Sequence, residues 1–198
     1  LLERASPLPP QLVPKLFEAS LLGSQYEPAC KQVLELGANY KNDAGRIYCH
    51  ALEGDWLTAS LIYNTSKALD SVETSTLVLL GEFLEIDEAT QKFFPTPEIN
   101  LSPLDFKLYE TLGYHIVRED LANAFLFSDL SGENGWYAQL TAAEKLAEYG
   151  VIDANRFLGI FTAYEPPSSS GIWERVSAIQ RLDKTLASSD STKEVELA

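Results

Sequence analysis

The chain has 198 residues and a formal charge of −14, from 29 acidic against 15 basic side chains, with 45% apolar and 11% aromatic residues. That apolar share supports a packed core and excludes a disordered chain. The excess of acid argues against binding nucleic acid or docking on anionic lipid through a basic helix, and no run approaches the ~18 apolar residues of a membrane span.

The acidity serves solubility first; its sharper use is an acidic face that meets a basic partner. Met is absent, and Leu1-Leu2-Glu3-Arg4-Ala5 reads like a helix cut from its beginning. The sequence is therefore expected to be a mature or trimmed piece of a longer product.

Helical periodicity dominates from the start. Pro9-Pro10 open a first helix through Leu12, Leu16, Phe17 and Leu21 that ends at Gly23. A second spans 27–36 and stops at Gly37. Two more cover 43–53 and 55–69, separated by Gly54, and a fifth covers 73–86. The stretch 87–101 breaks the rhythm with Pro95, Pro97 and Asn100. Ser102-Pro103-Leu104-Asp105 then starts a new helix, with Ser at the N-cap, Pro at the first helical position and an acid at the third. Further helices are expected over 102–112, 119–129, 135–149, 152–164 and 172–187, with the link 165–171 as a turn.

Short connections make antiparallel hairpins the natural unit. The expected organisation is hairpins over 1–86, a Pro-containing insertion at 87–101, hairpins over 102–187 packed on the first set, and a polar, disordered tail at 188–198.

One turn signature recurs. Leu22-Gly23-Ser24-Gln25-Tyr26-Glu27-Pro28-Ala29 parallels Leu52-Glu53-Gly54-Asp55-Trp56-Leu57-Thr58-Ala59, with Ala29 and Ala59 separated by 30 positions. A looser copy is Ala147-Glu148-Tyr149-Gly150-Val151-Ile152-Asp153. In this pattern Gly breaks the helix, an aromatic fills the gap, Asp55 caps, and Ala lets two helices approach closely.

These residues resemble tetratricopeptide-type repeats, although the spacing is shorter than that family's 34 residues. The resemblance implies an all-α fold of stacked hairpins forming a right-handed α-α superhelix; an irregular helical bundle is the alternative. Arg46-Ile47-Tyr48-Cys49, Gly54-Asp55-Trp56 and Ser102-Pro103-Leu104-Asp105-Phe106 also resemble uncharacterised alphaproteobacterial envelope proteins, a likeness that implies no activity.

Chemistry-bearing motifs are missing. His50 and His115 have neither a second His nor a Cys pair at metal-ligand spacing. Neither a nucleophile elbow nor a phosphate-binding Gly loop occurs. No cofactor is expected. Glu82, Glu85, Asp87 and Glu88 form an acidic cluster, with Glu82 and Glu85 on one helical face; a solvated surface is its plainest role and a partner contact its sharper one.

Trp56, Trp136 and Trp173 each open a helix and are expected mainly to pack between helices. Cys30 lies six residues before Leu36, and Cys49 six after Asp43, so folding that hairpin brings both to one height. A disulfide, which would place the chain in an oxidising compartment such as the periplasm, and two reduced buried thiols in the cytoplasm stand as alternatives.

The functional expectation is a non-enzymatic scaffold that binds another protein, as part of a larger bacterial envelope protein or assembly. Its rival is an accessory helical domain of a cell-wall-active enzyme whose catalytic part lies elsewhere.

Overall fold

The computed structural model describes residues 9–23, 25–86, 101–114, 116 and 121–196, with side chains through Ser188. Its described residues form ten α-helices and no strand: α1 (Val13–Leu22), α2 (Glu27–Leu36), α3 (Asp43–Leu52), α4 (Trp56–Leu69), α5 (Thr74–Phe83), α6 (Pro103–Thr111), α7 (Leu126–Asp129), α8 (Trp136–Glu148), α9 (Ala154–Phe161) and α10 (Ile172–Glu196). The protein is all-α. The insertion 87–100, with Phe93 and Phe94, lies outside the described residues.

Side-chain caps explain where several helices begin. The Gly45 N–H donates to Asn42 Oδ1 at 3.1 Å, the Thr58 N–H to Asp55 Oδ1 at 3.2 Å, the Asp105 N–H to Ser102 Oγ at 3.1 Å, and the Arg156 N–H to Asp153 Oδ1 at 2.9 Å. Each satisfies a donor that the first helical turn leaves without a partner.

Helix ends share another device. A residue in the left-handed region follows the helix, and the next N–H reaches back five residues to a carbonyl. Gly54 does this after α3, at φ 80°, with Asp55 N–H on the His50 carbonyl at 2.9 Å. Asp70 and Glu85 take the same position after α4 and α5, at φ 52° and 56°.

Glu85 is the costly member of that set, because a side chain in this conformation crowds its own backbone. Replacing Glu85 with Gly should raise the stability of the fold by about 0.5–1 kcal/mol, after the extra unfolded-state entropy of Gly is deducted. A denaturant midpoint that falls in Glu85→Gly would refute this account.

The chain divides into two compact units, Leu1–Ser128 and Asp129–Ala198. In the first, consecutive helices pack from α1 to α6, α3 also touches α5, and α6 returns to pack on α1 as well as α5. The helix that follows the Pro-containing insertion thus belongs with the N-terminal hairpins, and the division falls later than the one expected at 87–101. A continuous apolar core fills this unit, with Phe17, Ile47, Tyr48, Leu79, Leu80, Phe106 and Leu108 among its buried members.

Ala29 and Ala59 are both fully buried, and α3 and α4 form an extensive helix pair in this unit. Ala59→Leu should overpack that contact and cost about 1–3 kcal/mol. An unchanged melting temperature would show that the helices can separate there without loss.

In the second unit α8 packs on α9 and α9 on α10. Leu140, Ala143, Leu146, Ile160, Phe161 and Val176 are buried, and Phe157 stacks on Phe161 at 4.3 Å. Helix α10 continues to Glu196, through the polar stretch from Ser188 that composition alone marks as a disordered tail. Extending an existing helix adds one hydrogen bond per residue fixed without a new nucleus.

Candidate interaction surfaces

The two cysteines meet. Cys30 on α2 and Cys49 on α3 form a disulfide, their Cα atoms 5.1 Å apart, and both residues are buried. The bridge staples the hairpin whose two halves the sequence places at one height.

The turn signature is realised unevenly. Asp55 caps α4 and Gly54 takes the left-handed conformation, as the pattern requires. Gly23 does not: its φ is −88°, in a region open to any residue, so it is no left-handed break. Tyr26 precedes α2 and packs edge-on against Tyr48 at 6.3 Å. Trp56 is half exposed, its ring centroid 6.4 Å from that of Phe83, so it only partly plugs the gap.

The acidic cluster is not one helical face. Helix α5 ends at Phe83, so Glu82 lies on it and Glu85 lies beyond it in the left-handed turn. Glu82 accepts the Tyr114 hydroxyl at 2.6 Å on each carboxylate oxygen and so has an intramolecular role. Asp87 and Glu88 lie outside the described residues, as does His115. His50 Nδ1 sits 3.2 Å from Asp55 Oδ2 at the α3–α4 turn, which gives that histidine a partner.

Two phenols are held neutral. Tyr40 is buried, and burial followed by the nearby Glu18 carboxylate pushes its pKa from 10 up to about 12. Tyr114 is pushed up to about 12 by desolvation and then by its hydrogen bond to Glu82. A raised phenol pKa means the folded state favours the neutral form. This stabilising effect is fully present below the unfolded value near pH 10 and is lost between about pH 10 and 12. Tyrosinate absorbance followed against pH should show two late-titrating groups that vanish in denaturant; a single unfolded-like titration in the native protein would contradict both placements.

A cavity of about 350 Å³ opens where α3, α5 and α6 begin. Glu18, Asp43, Glu73 and Asp105 line it with Lys41. Carboxylates at helix starts answer the partial positive charge of the exposed N–H groups. Asp43 also accepts Arg46 Nη1 at 2.8 Å and Ser71 Oγ at 3.0 Å, and Asp105 accepts Ser102 Oγ at 2.6 Å. Asp43 and Asp105 are thus engaged by neighbouring side chains where their helices begin, and the cavity is a junction of helix starts. Among the described residues, no three His, Cys, Asp or Glu side chains gather to hold a metal ion.

Two apolar surfaces stand out. On α4, Ala59, Ile62, Tyr63 and Ser66 face the core, while Leu57, Leu61 and Leu69 point outward at 83%, 66% and 71% exposure. Between them, Asn64 Nδ2 and Thr65 Oγ1 donate back to the Ser60 and Leu61 carbonyls of their own helix. The outer face of α4 therefore carries few outward-looking donors. From Trp56 to Leu69 its only charged side chain is Lys67.

In the second unit Tyr137, Trp173, Trp136 and Tyr164 form a row, with successive centroids 6.0, 5.1 and 5.3 Å apart. Trp136 Nε1 donates to the Ile160 carbonyl at 2.9 Å, so that indole ties α8 to α9, while the two tyrosines remain exposed. Among the described residues, no helix is long and apolar enough to cross a membrane. No protein-family model, curated protein or solved structure matches the chain.

Proposed function

We propose that the chain is a non-catalytic protein-binding module working within a larger bacterial envelope protein or assembly. The observation that carries this is the outer face of α4. Three leucines held in water on a rigid, cored helix are costly in a free monomer and are what a partner surface removes from solvent.

The Cys30–Cys49 bridge supports an oxidising compartment, and hence the periplasm, because such bonds are rare where thiols are kept reduced. The serial packing of α1 through α6 supports the stacked-hairpin arrangement of tetratricopeptide-like repeats. The return of α6 onto α1 favours the compact-bundle alternative over an open superhelix.

The test is a photoreactive side chain at position 61 in the protein in its own cells. Cross-links to a polypeptide are expected from position 61 and not from Glu35, an exposed residue on α2. Equal labelling at the two positions, or none at either, would refute the interaction reading.

A further inference from the structure

We propose that the partner of the α4 face is a second copy of this chain, the two α4 helices packing antiparallel about a twofold axis. The inference rests on the protein-binding reading and names the partner for that same surface.

The spacing is self-complementary. Leu57, Leu61, Thr65 and Leu69 follow one another every four residues and form a single ridge along the outer face of α4. In a twofold contact, residue i meets j and j meets i. With the axis level with residue 63, Leu57 faces Leu69 of the second copy at both ends, and Leu61 faces Thr65 twice in the middle.

Charge selects both the surface and the direction. A chain of net charge −14 repels its own copies, yet α4 carries no acid from Trp56 to Leu69, so this face brings two copies together with little local repulsion. Lys67 lies over its own Tyr63 ring, away from the ridge, so the contact itself is free of charge. Parallel pairing would put Asp55 beside Asp55, whereas antiparallel pairing holds the two Asp55 caps at opposite ends of the contact.

The area sets the strength. Fourteen residues make a contact ~21 Å long, which falls short of the roughly 800 Å² per partner of a standard complex. The expected dimer is therefore weak and concentration-dependent, with a dissociation constant on the order of 0.1 mM.

Sedimentation velocity on the intact protein, from about 10 µM to about 500 µM, should show mass rising toward a dimer across that constant. Leu61→Glu and Leu57→Glu should each hold the protein monomeric with unchanged circular dichroism, since both positions are exposed. Asn64→Cys, beside the axis, should be joined to its copy by a short thiol cross-linker, and Glu35→Cys should not. A wild-type protein that stays monomeric throughout, or association that survives both glutamate variants, would overturn the proposal. Monomeric protein whose position 61 cross-links to a different polypeptide would overturn the second copy alone; monomeric protein with no cross-link would overturn the binding reading with it.

Discussion

Removing the Cys30–Cys49 bridge should lower the stability of the first unit by about 3 kcal/mol, the chain-entropy value for a closed loop of roughly 20 residues. The loop runs from the middle of α2, through residues 37–42, to the last turn of α3. Both cysteines are buried, so reduction leaves two small, apolar thiols in place and mainly enlarges the freedom of the unfolded chain. The Cys30→Ala, Cys49→Ala double variant adds a modest packing loss to the same term. Denaturant unfolding with and without reductant checks this: the midpoint should fall under reduction in the wild type and stay fixed in the double variant. Equal midpoints for reduced and oxidised wild type would mean that the reduced hairpin retains its closure when unfolded.

Helix starts were the most legible part of the fold, because capping is local. Ser102 and Asp55 each carry an acceptor into a waiting N–H, and their neighbours in sequence supply the rest of the signal; Asp153 caps α9 in the same way, inside the span 152–164 expected for that helix. Helix ends were less legible. The fifth helix stops at Phe83 rather than near residue 86, since Glu85, a residue with no preference for it, takes the left-handed position. Gly23 misled in the opposite sense: a glycine permits that conformation without requiring it.

What the pattern of apolar residues cannot say is which face meets which. The leucines of α4 satisfy helical periodicity as well as the buried Ile62 and Tyr63 do, yet they lie outside. The available signal was an excess: α4 is apolar on both sides and nearly uncharged, more than one buried stripe needs. The pairing of α6 with α1 and the convergence of three helix starts on one cavity join residues far apart in sequence. No local motif encodes either. The boundary at Ser128–Asp129 falls within the short helix α7, where neither Pro nor Gly marks it. The meeting of Cys30 and Cys49 was half legible: helical rise gave their common height, but not whether both turned toward the seam.

Phe17→Ala should be the most damaging single substitution in the first unit, at about 3–5 kcal/mol. Phe17 on α1 is buried and meets Tyr40 and Tyr48 edge-on, each at 6.4 Å between centroids. Tyr48 in turn stacks on Phe83 at 5.5 Å and meets Tyr26 at 6.3 Å. One ring therefore ties α1 to α3, while the next carries the contact on to α5 and to the start of α2. Truncation removes the buried area, the edge-to-face contacts and the filling of the space between them. That cost is a large part of the total stability of an ordinary domain. Because Tyr40 owes its raised pKa first to burial, the cavity should also admit water and bring its titration down from about 12 toward 10. The two readouts separate cause from consequence. A loss of stability with Tyr40 still titrating near 12 would mean that the site collapses around the missing ring, and a loss under about 1 kcal/mol would show that Phe17 is not the keystone of this aromatic cluster.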